Sequence, residues 1–256
     1  MADSKTFVAN APAWIDLSSK DPAGSKDFYS KLFGWKIDEP RADAGGYMLA
    51  KQGGKDVAGL GPTQDPNQPT AWSIYIGTRD ADATAKKVEA AGGKVIAPAF
   101  DVFDQGRMAV FQDPSGAFFS AWQAGQMTKF VSGVPTAYGW AELNARGLDR
   151  AVGFYETVFG WTTSKSPLGE GQEYTQFEHQ GEPIAGALEM NPGIPAEVPS
   201  YWMVYFIADD VDGAYRKALD LGAREMVAPA DFPGGRYAII SDPQGATFGL
   251  MSVQQP

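Results

Sequence analysis

The sequence predicts an α+β protein built from two like halves, each carrying two βαβββ units, and three observations lead there. The first is an internal repeat: Phe28-Tyr29-Ser30-Lys31-Leu32-Phe33-Gly34-Trp35 returns 126 residues later as Phe154-Tyr155-Glu156-Thr157-Val158-Phe159-Gly160-Trp161, and Trp14 and Trp140 share that spacing. The second is a set of later matches with a small drift. Trp72 corresponds to Trp202 at a spacing of 130, and Asp113-Pro114-Ser115-Gly116 to Asp242-Pro243-Gln244-Gly245 at 129, the drift that short loop insertions produce. The third is composition: 30 Gly and 18 Pro in 256 residues supply the many turns that a strand-rich chain needs, and 44% hydrophobic residues supply a core. The division falls at residues 1–126 and 127–256, with the joint near Gln126–Pro135.

Each element follows from local chemistry. Trp14-Ile15-Asp16-Leu17 reads as a short strand. Asp21 then suits an N-cap, Pro22 the first helical position and Gly34 the position past the end, which predicts a helix over 22–33. Phe28, Leu32 and Phe33 lie on one face of it. Short strands follow around Tyr47–Lys51 and Val57–Leu60, parted by Gly53-Gly54. The pattern then restarts with a strand at Trp72–Ile76 and a helix from Asp80 to Ala91, ended by Gly92-Gly93. Val95–Ala97, Arg107–Gln112 and Ala117–Trp122 read as three more strands. The last two are joined by Asp-Pro-Ser-Gly, with Pro and Gly where a type I turn favours them. The second half repeats the scheme, with helices near 148–159 and 211–221.

Charge and residue counts exclude several chemistries. With 31 Asp+Glu against 21 Lys+Arg, the chain has a formal net charge of −10 and repels phosphate backbones, so nucleic acid is not an expected partner. There is no Cys, which removes disulfides, thiolate catalysis and sulfur-bound zinc. The single His, His179 in the polar stretch Phe177-Glu178-His179-Gln180-Gly181, reads as an exposed turn residue. The first ten residues lack a secretory apolar core, and the longest mostly apolar run, Tyr201 to Ala208, is far short of the roughly 18–20 residues of a membrane span. No membrane partner is expected, the compartment is expected to be cytoplasmic, and a homodimer stays open. No dinucleotide fingerprint, phosphate-binding loop or nucleophile elbow occurs.

The doubled βαβββ unit, the FYxxxFGW helix and the DP[SQ]G turn before the last strand resemble the vicinal oxygen chelate superfamily of glyoxalases, bleomycin-resistance proteins and extradiol dioxygenases. The likeness runs over roughly residues 10–252, in the tandem two-domain form found in actinobacteria and often labelled hydroxylase. It implies glyoxalase-like domains in which a curved sheet cups a pocket. Catalytic members hold a divalent metal there with His, Gln or Glu. Carried onto this chain residue by residue, the ligand positions fall on Trp14, Ser73 and Ser120 in the first half and on Trp140, Met203 and Gly249 in the second. None is a metal donor of that kind, so no metal and no other cofactor is expected.

Asp16 and Glu142 stand two residues after Trp14 and Trp140, on the same strand face, as carboxyls among aromatics and candidates for acid–base work. Tyr75, Trp122, Tyr205 and Met251 join the expected ligand-binding walls, each pocket being floored by Trp14 or Trp140. Arg107 and Arg236, each after a Gly, are candidates for pairing with Asp16 and Glu142, for holding an anionic ligand, or for surface ion pairs. The functional expectation is metal-independent binding of a hydrophobic aromatic small molecule by stacking on the indoles. Two alternatives stand beside it: an enzyme of glyoxalase, dioxygenase or hydroxylase type, and an interaction protein with filled, vestigial pockets.

Overall fold

The computed structural model describes residues 4–169 and 172–253. Its four long helices are α1 (Pro22–Phe33), α2 (Ala81–Ala90), α3 (Leu148–Phe159) and α4 (Val211–Asp220), where the capping signals place them. Asp21 accepts the Gly24 amide at 3.0 Å, and Gly34 closes α1 in the left-handed region at φ 74°. Asp80 and Asp210 cap α2 and α4 in the same way. α3 departs from the pattern, since its N-cap is Gly147; there Glu189 reaches across to accept the Gly147 and Leu148 amides at 2.9 and 2.7 Å.

Each half forms one eight-stranded mixed sheet. The first contains β2 (Pro12–Ser19), β3 (Lys36–Ile37), β4 (Met48–Gln52), β5 (Lys55–Pro62), β6 (Ala71–Thr78), β7 (Lys94–Val102), β8 (Gly106–Gln112) and β9 (Phe118–Ala124), in the order β3-β4-β5-β2-β6-β9-β8-β7. The central pair β2 and β6 is antiparallel, and each is parallel to the last strand of its own unit, β5 or β9. A parallel pair requires a crossover, which α1 and α2 provide. The second sheet repeats this order with β11 (Tyr138–Ala145), β12 (Thr162–Gly169), β13 (Gln172–His179), β14 (Glu182–Glu189), β15 (Tyr201–Ile207), β16 (Arg224–Phe232), β17 (Gly235–Ser241) and β18 (Thr247–Val253). The expected α+β architecture, two like domains each of two βαβββ units, is therefore the observed one.

Strand alternation divides every sheet residue between two faces. Ile15, Leu17, Trp72, Ile74 and Ile76 share the helix-bearing face, where Trp72 meets Tyr29 of α1 edge-on at 5.3 Å. Trp14, Asp16, Ser73 and Tyr75 share the other, the face that is hollow. The helix-bearing faces of the two halves pack on each other. Phe33 of α1 lies 4.9 Å from Phe206 of β15, and Phe154 of α3 lies 5.9 Å from Phe119 of β9. The repeated FYxxxFGW helix is thus core, and it is core between the halves.

Two short strands were not foreseen. β1 (Ser4–Thr6) pairs antiparallel with β10 (Lys129–Val131), which belongs to the joint between the halves. Sequence reading treats this joint as a linker because three-residue strands carry no periodic signal. Its Phe130 meets Trp14 edge-on at 5.9 Å and Tyr138 at the same distance.

Candidate functional site

The first hollow is built on β2, β6 and β9. Register sets Trp14 opposite Tyr75, Asp16 opposite Ser73, and Tyr75 beside Ser120, so these expected wall residues do come together, with Trp122 next along β9. Asp16 accepts the Tyr75 hydroxyl at 2.7 Å and the Tyr47 hydroxyl at 3.4 Å, while Tyr47 accepts the Trp14 indole N–H at 3.1 Å. Burial pushes the Asp16 carboxyl up to about 6, with the bonds from Tyr75 and Tyr47 pulling the other way. The same burial, helped by the carboxylate, holds both phenols well above their ordinary range.

This hollow is filled. Tyr47 lies against Gly59 where any Cβ would collide with its hydroxyl, and Phe130 closes over Trp14, which is only 3% exposed. The expectation of an open pocket floored by Trp14 is corrected. The missing piece in sequence reading was the pairing of Tyr47 with Gly59. A large ring and the gap that admits it lie on neighbouring strands, and only strand register links them. The recurrence of that pair as Tyr174 and Gly186 is the signal that could have found it.

The second hollow repeats the plan more loosely. Trp140 donates its indole N–H to Tyr174 at 2.8 Å, and Tyr174 sits on Gly186. Glu142 accepts from Tyr205 at 3.3 Å and from the Asn144 amide at 3.3 Å. Burial raises its carboxyl, against the pull of its Asn144 and tyrosine partners. Met203 lies opposite Glu142 on β15, and Met251 follows on β18. Gly249 is the space that admits the Tyr205 ring. Unlike Trp14, Trp140 is partly exposed, and it borders a cleft of about 190 Å³ whose other walls include Lys5, Tyr138, Pro183 and Ile184. The register shift between Tyr138 and Trp140 recurs between Pro12 and Trp14, so a bulge at the start of the central strand is common to both halves.

Arg107 and Arg236 do not reach either carboxyl. Met108 faces Trp122 and Tyr237 faces Met251, so the adjacent arginines project from the opposite side of the sheet. There Arg107 pairs with Asp82 and Asp101 at 2.9 Å each, and Arg236 with Asp212 at 2.6 Å and Asp231 at 2.7 Å. Their place in the expected ligand-binding set is corrected, because these surface acids already occupy the guanidinium forks. His179 ends β13 beside its turn to β14, facing Glu182.

The inward positions that would carry metal donors hold Trp14, Ser73 and Ser120, then Trp140, Met203 and Gly249. An indole N–H donates and has no lone pair to offer, and Gly249 has no side chain at all. Among the described residues no group of three or more His, Asp or Glu is disposed to hold a metal ion. These residues do not fit the group's metal.

Comparison with known proteins agrees with the doubled architecture. The model of the Glyoxalase/Bleomycin resistance protein/Dioxygenase superfamily matches residues 11–120 and again 137–250. The chain is similar to the anthracycline biosynthesis protein DnrV of Streptomyces peucetius, at 39% identity covering 97% of this chain and 95% of that protein. It is likewise similar to CFP32 of Mycobacterium bovis, which carries a glyoxylase name, at 38% identity covering 98% of each. Among solved structures it resembles the 2,3-dioxygenase LapB of Pseudomonas sp. KL28, with a TM-score of 0.67 at 13% identity, covering 98% of this chain and 95% of that one, a likeness of fold. With two family matches, one on each sheet, the chain belongs to the glyoxalase/bleomycin resistance/dioxygenase superfamily as a tandem pair of its domains.

Proposed function

We propose that this chain binds a planar aromatic small molecule in its second half, without a metal, by stacking it on Trp140. The observation that carries the proposal is the contrast between the two equivalent indoles: Trp14 is buried against Phe130, whereas Trp140 is partly exposed at a cleft. Stacking adds about 0.5–1.5 kcal/mol beyond area burial, so desolvation of the ring supplies most of the affinity. A cleft of about 190 Å³ is below the usual range for a whole drug-sized ligand, so it suits one end of a polycyclic aromatic. The relative named for anthracycline biosynthesis supports a guest of this kind. The test is a fluorescence titration with an anthraquinone and isoalloxazine panel. Saturable quenching that survives Trp14→Phe and is lost in Trp140→Phe is the expected result; no saturable quenching by any compound refutes the proposal.

A second reading, an enzyme, is favoured by one feature of the same site. Glu142 is a carboxyl raised by burial and hydrogen-bonded to Tyr205, a group suited to exchange a proton with a bound ring hydroxyl. Glu142→Gln would then abolish turnover while leaving ligand binding nearly intact. Loss of both together returns the site to binding alone.

A further inference from the structure

The cleft beside Trp140 has two polar features that stacking does not use. Tyr138 lines it and is only 7% exposed, yet its hydroxyl has no hydrogen-bond partner. A buried hydroxyl without a partner is a rare and unfavourable state in a folded protein. The first half has no counterpart to this hydroxyl, since Pro12 stands at the position equivalent to Tyr138. The second feature is Lys5, the only charged residue among those lining the cleft, in a chain whose net charge is −10. β1 carries Lys5 to the rim by pairing it with Phe130 of β10, and among the described residues no acid forms an ion pair with it.

Resting on the binding reading above, we infer that the cleft selects an aromatic that carries an anionic oxygen, a carboxylate or phenolate, which Lys5 neutralises and the Tyr138 hydroxyl bonds while the ring lies on Trp140. Pro183 and Ile184 give the cleft apolar walls for the ring, and Lys5 and Tyr138 are among the residues that line it for the oxygen. A hydrogen bond to a charged oxygen is stronger than one to a neutral oxygen. The first hollow cannot make this selection, because it has Pro12 where the second has Tyr138 and Phe130 packs against Trp14.

The experiment uses two probes of equal shape, 2-naphthoate and 2-naphthamide, with the full chain and tryptophan emission as readout. Naphthoate is expected to bind roughly 5–30-fold more tightly than naphthamide, as a charge-assisted bond over a neutral one implies. Lys5→Gln cuts that preference several-fold by weakening naphthoate more than naphthamide. Tyr138→Phe weakens both probes about 3–10-fold, because carboxylate and amide oxygens both accept. The free Tyr138→Phe protein melts no lower than the parent, since the hydroxyl removed had no partner, and this separates lost recognition from lost folding. Equal affinity for the two probes, or a preference undiminished in Lys5→Gln, overturns the inference while the binding reading stands. Failure of both probes where an anthraquinone still quenches overturns the inference alone, and failure of all of them overturns the two together.

Discussion

Tyr29 of the first half donates its hydroxyl to Asp242 of the second at 2.9 Å, and Tyr155 of the second returns the bond to Asp113 of the first at 3.0 Å. Each Asp heads a DP[SQ]G turn. Its other oxygen accepts two backbone amides of that turn, from Gln244 and Ala246 in one case and from Ser115 and Ala117 in the other. Each tyrosine in turn accepts an indole N–H, from Trp72 or Trp202. The two sequence signatures that reveal the repeat are therefore bonded to each other, always across the halves.

Tyr29→Phe removes one hydroxyl and leaves both Asp242 and the Trp72 indole without their partner. Two unsatisfied buried groups cost about 2–4 kcal/mol. Urea unfolding should show a lower midpoint of that size with the slope unchanged. A shift under about 0.5 kcal/mol, the scale of an ordinary surface substitution, would mean that water replaces the bond.

Much of this was legible in the sequence, and the reason is local. N-caps, a Pro at the first helical position and a Gly past the end depend on neighbouring residues, so α1 begins and ends where Asp21, Pro22 and Gly34 put it. The inward set Trp14, Asp16, Tyr75, Ser120 and Trp122 was legible by strand parity and by the family resemblance. Parity counted from the DP[SQ]G turn would also have turned Arg107 and Arg236 away from the hollow, since each is one residue before an inward position. What stayed hidden depends on contacts distant in sequence. Phe130 over Trp14 and Tyr155 on Asp113 follow from how the halves pack, and no short motif encodes that.

Asp16 makes stability depend on pH. Its folded value of about 6 lies above the ordinary 3.8, so between those values the folded state binds more protons than the unfolded chain. Stability from this group is therefore fully present below about pH 4, falls as pH rises toward 6, and is level above that. Asp16→Asn keeps an acceptor for Tyr75 without the buried charge. It should stabilise the protein at pH 8 by about 1–3 kcal/mol, an advantage that shrinks to near zero at pH 4. Urea midpoints of both proteins across that range check it, and an advantage that grows toward acid pH contradicts it.

Gly59→Ala tests the packing of the first hollow. The added methyl collides with the Tyr47 hydroxyl and ring edge, so Tyr47 must leave and its bonds with Trp14 and Asp16 go with it. The cost is about 2–4 kcal/mol, the range for overpacking plus a buried carboxyl that loses a donor. The double substitution Gly59→Ala/Tyr47→Ala removes the collision. It should be less destabilised than the sum of the two single changes, and strict additivity would show that the two side chains do not compete for one space.

The asymmetry of the hollows has a direct optical test, because the chain has seven tryptophans and six of them are buried. Trp14, Trp35, Trp72, Trp122, Trp161 and Trp202 are each 3–6% exposed, while Trp140 alone is partly exposed. An aqueous quencher such as acrylamide should thus reach one indole readily and six poorly, giving a downward-curved quenching plot with a small accessible fraction. Trp140→Phe should abolish that fraction and leave a shallow straight line. Trp14→Phe should leave the accessible fraction intact, because Phe130 already shields the indole it removes. Removing the shield is the stronger version. Phe130→Ala opens the mouth of the first hollow, so a second accessible fraction should appear, and it should vanish again when Trp14→Phe is added. If Phe130→Ala leaves quenching unchanged, Phe130 is not what seals the first hollow. The difference between the halves would then have to come from Tyr47 on Gly59 alone.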